Sequence, residues 1–269
     1  LPPDNLQTVP IDMVAHRTSP TNIGLYLLSV ACARQFGWIG THELLARIEA
    51  TLSTLATLQR HRGHFLNWYD TQSRAPLLPM YVSTVDSGNL SGSLLAVAQA
   101  CLELAQAPHE RGAARRALQA SRQRLAPCLP QTSARPPELP QAAALARLLD
   151  LPDPIATCDR DADEFEQLLR TCDAELAATM VQGAEATAPG KPTACDELTW
   201  QLADHVAILH SVLLDAQRAA MTDTHAATAR LQAVARRCEE LAWQADFRFL
   251  YHRKRHLFHI GYRVAEQEL

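Results

Sequence analysis

The sequence predicts an all-α fold, and two observations carry that prediction. Apolar residues recur at spacings of three and four through one segment after another. No segment shows the strand–helix alternation that a parallel sheet requires. A third observation adds one exception at the end of the chain. DFRFLYHRKRHLFHIGYRV alternates and is aromatic, which predicts a short C-terminal β-hairpin or extended arm.

The elements follow in order. Residues 1–19 are rich in proline and read as an extended lead-in. TNIGLYLLSVACARQFG reads as a helix, with Ser19 or Thr21 as its cap, Pro20 in its first turn and Gly37 as its stop. Its apolar residues run nearly all round, so burial on most sides is expected. A second helix is expected over 41–60, with Leu44, Leu45, Ile48, Leu52, Leu55 and Leu58 along one face. PLLPMYVSTVDSGN reads as an irregular connector before a third helix, SGSLLAVAQACLELAQA. HERGAARRALQASRQRLA reads as an Arg-rich amphipathic helix. Two irregular proline-containing connectors, 108–140 and 183–194, interrupt the middle. Helices are expected over 140–150 and 160–181, and a long pair over 195–221 and 223–245.

Composition narrows the function classes. The 269-residue chain carries a net charge of -4, with 47 % hydrophobic and 20 % charged residues. That is the profile of a soluble globular chain without the clustered basic excess of a nucleic-acid binder. Seven cysteines are scattered without a CxxC pair, so free thiols are expected rather than zinc or disulfides. No metal and no cofactor is expected, since P-loop, GxGxxG, GxSxG and HExxH are all absent. No segment reads as a signal peptide or a membrane span. The chain starts without Met and ends at VAEQEL, and reads as a piece of a longer protein.

Three connectors hold most of the polar and aromatic side chains that chemistry could use. AHRTSPTN contributes His16, Arg17, Thr18 and Asn22. RGHFLNWYDTQ contributes Arg62, His64, Asn67, Trp68, Tyr69 and Asp70. STVDSGN contributes Asp86 and Asn89. Flat indole and phenol rings stack on pyranose faces, while Asn, Asp, Arg and His hydrogen-bond hydroxyl groups, so the pattern points to sugar recognition. Each connector also has a structural alternative. AHRTSPTN can be a capping segment, Asp86 or Ser87 can cap a helix, and Trp68 and Tyr69 can form a buried polar plug. Asp70 and Asp86 are the carboxylates in these connectors, and they are weak candidates for a catalytic pair. His205 and His210 lie five apart in a helical pattern and read as core or surface residues. YHRKRH at 251–256 reads as a solvated basic turn.

LPPDN, AHRTSPTNIGLYLLS, ARQFGWIG, RGHFLNWYDT and YVSTVDSGNL, in that order, with FLY and LFHIGY near the end, resemble the glycoamylase-like central domain of bacterial cyclic β-1,2-glucan synthases. The resemblance covers residues 1 to about 100 and about 243 to 264. It implies that residues 1–269 are part of one glycoamylase-like domain of helical-hairpin (α/α)6-toroid type, as a partial barrel. It implies a parent at the cytoplasmic face of the bacterial inner membrane, and as partners β-1,2-glucan, the rest of the domain, and glycosyltransferase and phosphorylase-like domains. The implied activity is ring closure by retaining transglycosylation, with the catalytic glutamates beyond Leu269. An endo-β-1,2-glucanase-like hydrolase and a non-catalytic glucan-binding module are the competing readings.

Overall fold

The computed structural model describes residues 1–108, 112–125, 203–212 and 224–269, together with 170, 174, 201, 214 and 215. The described part is mainly helical, with small strand pairs in the connections. The chain divides into two compact units. The first comprises Leu1–Cys32, Leu44–Pro108 and His225–Leu269; the second comprises Ala33–Glu43 and His109–Thr224. The helices expected over 140–150 and 160–181, the breaker TAPGKPTA and most of both proline-rich connectors lie outside the described residues. No helix among the described residues is long and apolar enough to cross a membrane.

Helix α1 (Pro20–Phe36) begins as expected, with the Asn22 amide donating to Ser19 Oγ at 3.2 Å. It ends at Gly37, whose φ of +79° suits glycine. The expectation that it is buried on most sides needs correcting. Ile23, Leu27 and Val30 are buried, but Leu25, Ser29, Cys32 and Phe36 form an exposed stripe. Helix α2 (Thr41–Leu55) is shorter than the expected 41–60. After Leu55 the backbone tightens, with Thr57 N bonding Thr54 O and Leu58 N bonding Leu55 O. The Thr57 hydroxyl also donates to the Thr54 carbonyl at 2.7 Å, competing for the acceptor that the next helical amide would use.

Helix α3 (Thr84–Leu104) starts earlier than expected, which turns most of STVDSGN into helix. Ser83 is the cap, its Oγ accepting from the Asp86 amide at 3.1 Å. Neither Asp86 nor Ser87 caps, because both already lie within the first turn. Gly24 of α1 lets α3 approach closely, since a Cβ there would sit 2.8 Å from Ser93 Oγ. Helix α4 (Gly112–Leu125) is the expected Arg-rich helix, and α5 (Thr224–Ala242) matches the expected 223–245. Arg230 of α5 pairs with Glu49 of α2 at 2.8 Å, and Arg237 donates to the Leu52 carbonyl at 3.0 Å. The core of the first unit gathers Leu45, Ile48, Leu52, Leu66, Leu94, Leu231 and Leu250, all nearly free of solvent contact.

The connections are less loose than an all-α class suggests. Among the described residues, β1 (Leu6–Gln7) pairs with β2 (Met13–Val14) inside the lead-in, and β3 (Arg17–Thr18) pairs with β6 (Tyr69–Asp70). β4 (Arg60–His61) pairs with β5 (His64–Phe65), and β7 (Tyr81–Ser83) with β10 (Gly261–Arg263). The C-terminal hairpin is present as β8 (Tyr251–His252) against β9 (Leu257–Phe258). Its tip, Arg253 to His256, is exposed, as a solvated basic turn should be.

Within the second unit, Asp215 takes the first amides of α2. Its Oδ2 accepts from Thr41 N at 2.7 Å and its Oδ1 from His42 N at 2.8 Å, a capping carboxylate placed far away in sequence. Buried His205 meets Ser121 Oγ through Nδ1 at 2.8 Å. Burial, helped by Arg122 and Arg124, lowers its pKa to about 4.

Unfolded, His205 titrates at its ordinary value of 6.5, so the unfolded chain binds more protons between pH 6.5 and 4. Stability is therefore full above pH 6.5 and falls by about 3 kcal/mol toward pH 4. Denaturant melts should show that loss, and His205→Gln should flatten it. Gly63 has φ +83°, and a Cβ there would meet the Gln244 carbonyl oxygen. Gly63→Ala should lower the midpoint of thermal unfolding by several degrees, read by circular dichroism.

Candidate functional site

The three polar connectors come together in the first unit. β3 and β6 join the first to the second, with Arg17 opposite Asp70 and Thr18 opposite Tyr69. The Thr71 amide extends this ladder to His16 O at 3.1 Å. The second joins the third through Asn67 N to Tyr81 O at 2.8 Å and Asn67 Nδ2 to Asp86 Oδ2 at 3.2 Å. The third returns to the first, where Asn89 Nδ2 donates to Thr21 Oγ1 at 3.1 Å. The peptide between Asn67 and Trp68 is cis.

The candidate residues divide by exposure. His16, Arg17, Arg62 and Asn89 are exposed, and Asn22, Asn67, Trp68, Asp70 and Asp86 are half-buried. The Arg17 guanidinium lies 4.9 Å from the centre of the Trp68 ring, so one indole face is occupied by a cation. Arg62 lies 4.8 Å from the Phe249 ring in the same manner.

Three candidates face inward, which corrects the roles expected for them. Tyr69 is fully buried and offers no ring face to a ligand. Its hydroxyl donates to Gln59 O at 2.6 Å and accepts from Leu66 N at 2.8 Å, and burial pushes its pKa up to about 12. This is the buried-plug alternative, confined to Tyr69. Thr18 is also fully buried. His64 is buried, with Nδ1 on Ser87 Oγ at 2.8 Å and the edges of Phe247 and Phe249 against its ring. Burial lowers its pKa, and the nearby Asp246 opposes that shift only in part, so it is a neutral structural residue near pH 7.

The two carboxylates are held for structure. Asp70 Oδ1 accepts from Ser73 N at 2.6 Å, Ser73 Oγ at 2.8 Å and Gln72 N at 3.0 Å. The Ser73 amide is the largest cause holding its pKa below the ordinary carboxylate range, which is opposite to what a general acid needs. Asp86 sits in the first turn of α3 and receives Asn67. Among the described residues, no group of three or more His, Cys, Asp or Glu could hold a metal ion.

Asp4 was not among the candidates, although it lies within LPPDN. Its Oδ2 takes both Arg17 Nε at 3.1 Å and the Arg17 amino group at 3.0 Å, and its Oδ1 takes Asn22 Nδ2 at 3.0 Å. A lone Asp in a proline-rich lead-in gives no periodic signal that could single it out. Of the C-terminal aromatics, Trp243, Tyr251 and Phe258 are exposed and Phe247, Phe249 and Tyr262 are half-buried. Phe249 lies edge-on to Tyr262, and His61 stacks on Tyr262 at 5.3 Å.

Over its whole length the chain is 37 % identical, across 289 aligned residues, to the cyclic beta-(1,2)-glucan synthase NdvB of Rhizobium meliloti (strain 1021). The chain is similar to one region of a glucan synthase. It spans 10 % of NdvB's length. No protein-family model matches the chain. The similarity to NdvB includes residues 103–240, where no motif is recognisable by eye, as well as the connectors.

Tyr69 and Trp68 should respond differently to substitution. Tyr69→Phe leaves the Leu66 amide and Gln59 carbonyl without their partner and should cost about 1–3 kcal/mol in urea melts. Trp68→Ala, at a half-buried position, should cost less than Tyr69→Phe in the same melts.

Proposed function

We propose that the chain is the part of a cyclic β-1,2-glucan synthase that grips linear β-1,2-glucan, within a glycoamylase-like domain of (α/α)6-toroid type. In this reading the parent enzyme stands at the cytoplasmic face of the inner membrane. The observation that carries the proposal is the whole-length identity with NdvB. The surface described above supports it. In this reading the face of half-buried Trp68 opposite Arg17 is the platform for a pyranose ring, and polar groups of the three connectors meet its hydroxyl groups.

The reaction proposed for the whole domain is ring closure. A carboxylate attacks the anomeric carbon and the reducing-side segment leaves with a proton from an acid; the chain's own non-reducing hydroxyl then gives its proton back to that group, now a base, as its oxygen displaces the enzyme carboxylate. Retaining chemistry of this kind sets its two carboxyl groups about 5 Å apart. Asp70 is closed into a turn and Asp86 belongs to a helix start, so this chain's contribution is binding and orientation. That favours a purely glucan-binding role as the second reading of the chain itself.

Incubation of the intact synthase with linear β-1,2-glucan tests the domain. Cyclic product supports ring closure, and shorter linear chains indicate an endo-glucanase instead. For the chain alone, calorimetry with linear β-1,2-glucan should show binding, and Trp68→Ala should weaken it roughly tenfold with little change in melting. Absence of any binding by the unaltered chain would sink the proposal.

A further inference from the structure

We infer that Asp4 is a positioning residue of the glucan-binding surface, holding the Arg17 guanidinium against one face of Trp68 so that a ligand meets only the other. The inference rests on the glucan-binding reading and goes beyond it, because Asp4 lies outside the three connectors.

The geometry sets the direction of control. Arg17 Nε and one terminal amino group converge on a single oxygen, Asp4 Oδ2, at 3.1 and 3.0 Å. Two donors on one rigid planar group fix its orientation as well as its place. The second oxygen, Oδ1, is held by Asn22 Nδ2 at 3.0 Å, so the carboxylate cannot turn freely. The Asp4 backbone is held too, by its amide on Ala15 O at 3.2 Å and by Ala15 N on Asn5 O at 3.0 Å. Asp4 is thereby fixed to the strand that carries Arg17 and to the first turn of α1.

Arg17 needs such a hold. Its side chain is 51 % exposed, against 17 % for Asp4. A long side chain with that much water around it samples many rotamers unless a partner selects one. A cation over an indole face contributes little when exposed, so Trp68 alone is a weak anchor for it. With Asp4 present, the guanidinium stays over one ring face and leaves the other to the ligand. The carboxylate also neutralises the cation, which suits an uncharged glucan.

The test uses the full chain and the Asp4→Asn variant, which keeps the side-chain shape and removes the charge. Glucan binding is read by calorimetry. Trp68 emission is read by quenching with iodide and with acrylamide, after subtracting the same measurements on Trp68→Phe. Asp4→Asn should weaken glucan binding roughly fivefold or more. It should also raise iodide quenching of Trp68 relative to acrylamide, because the released guanidinium attracts the anion. In an Arg17→Ala background Asp4→Asn should change neither reading, since Asp4 acts through Arg17. The inference is overturned if Asp4→Asn binds glucan normally while Arg17→Ala does not, or if its effect persists without Arg17. If the unaltered chain binds no glucan, the proposed function fails, and the quenching alone decides whether Asp4 holds Arg17: an unchanged iodide-to-acrylamide ratio overturns that, a raised one upholds it.

Discussion

The hydroxyl of Tyr69 closes the second connector onto itself, and the geometry around it depends on that closure. One oxygen takes the buried Leu66 amide and gives its proton to the Gln59 carbonyl, so one side chain ties the loop to the chain before it. The ring then fills space in the core of the first unit. Its strand also pairs with Thr18, which ties the loop to the segment before α1. A loop closed at its root in this way can hold its outer side chains in fixed places.

Strand alternation does the rest. Tyr69 points inward, so its neighbours Trp68 and Asp70 lie toward solvent. The inward set, Thr18, His64 and Tyr69, is a structural layer. The outward set holds one indole, several amides and a guanidinium already paired. Carboxylates appear here as organisers. Asp4 takes Arg17 and Asn22, Asp70 shapes a turn, and Asp86, in the first turn of α3, receives Asn67. The lowered pKa values of Asp4 and Asp70 follow from those hydrogen bonds, from Asn22 first for Asp4 and from the Ser73 amide first for Asp70.

The short strand pairs explain how so few residues bring distant segments together. β7 and β10 join residues near 82 to residues near 262, and β3 and β6 join 17 to 70. Each ladder is only two or three residues long. The C-terminal arm belongs to the same arrangement, since Phe247 and Phe249 pack on His64 and Tyr262 stacks on His61.

Periodicity in the sequence was enough to determine the helices α1, α4 and α5, the C-terminal hairpin and the polar character of the three connectors, because spacing, caps and turn residues are local properties. The order of the motifs also pointed to a cyclic glucan synthase, in agreement with the similarity to NdvB. Tertiary structure alone decided where α2 ends and α3 begins, since competing hydroxyl and carbonyl bonds settle such boundaries. It alone decided that Tyr69 is the inward aromatic and Trp68 the outward one. Adjacent aromatics look alike in a sequence, and only pairing with Thr18 sets which face of the strand is buried. Asp4 became visible for the same reason: its partners lie 13 and 18 residues away, and folding is what brings them within reach.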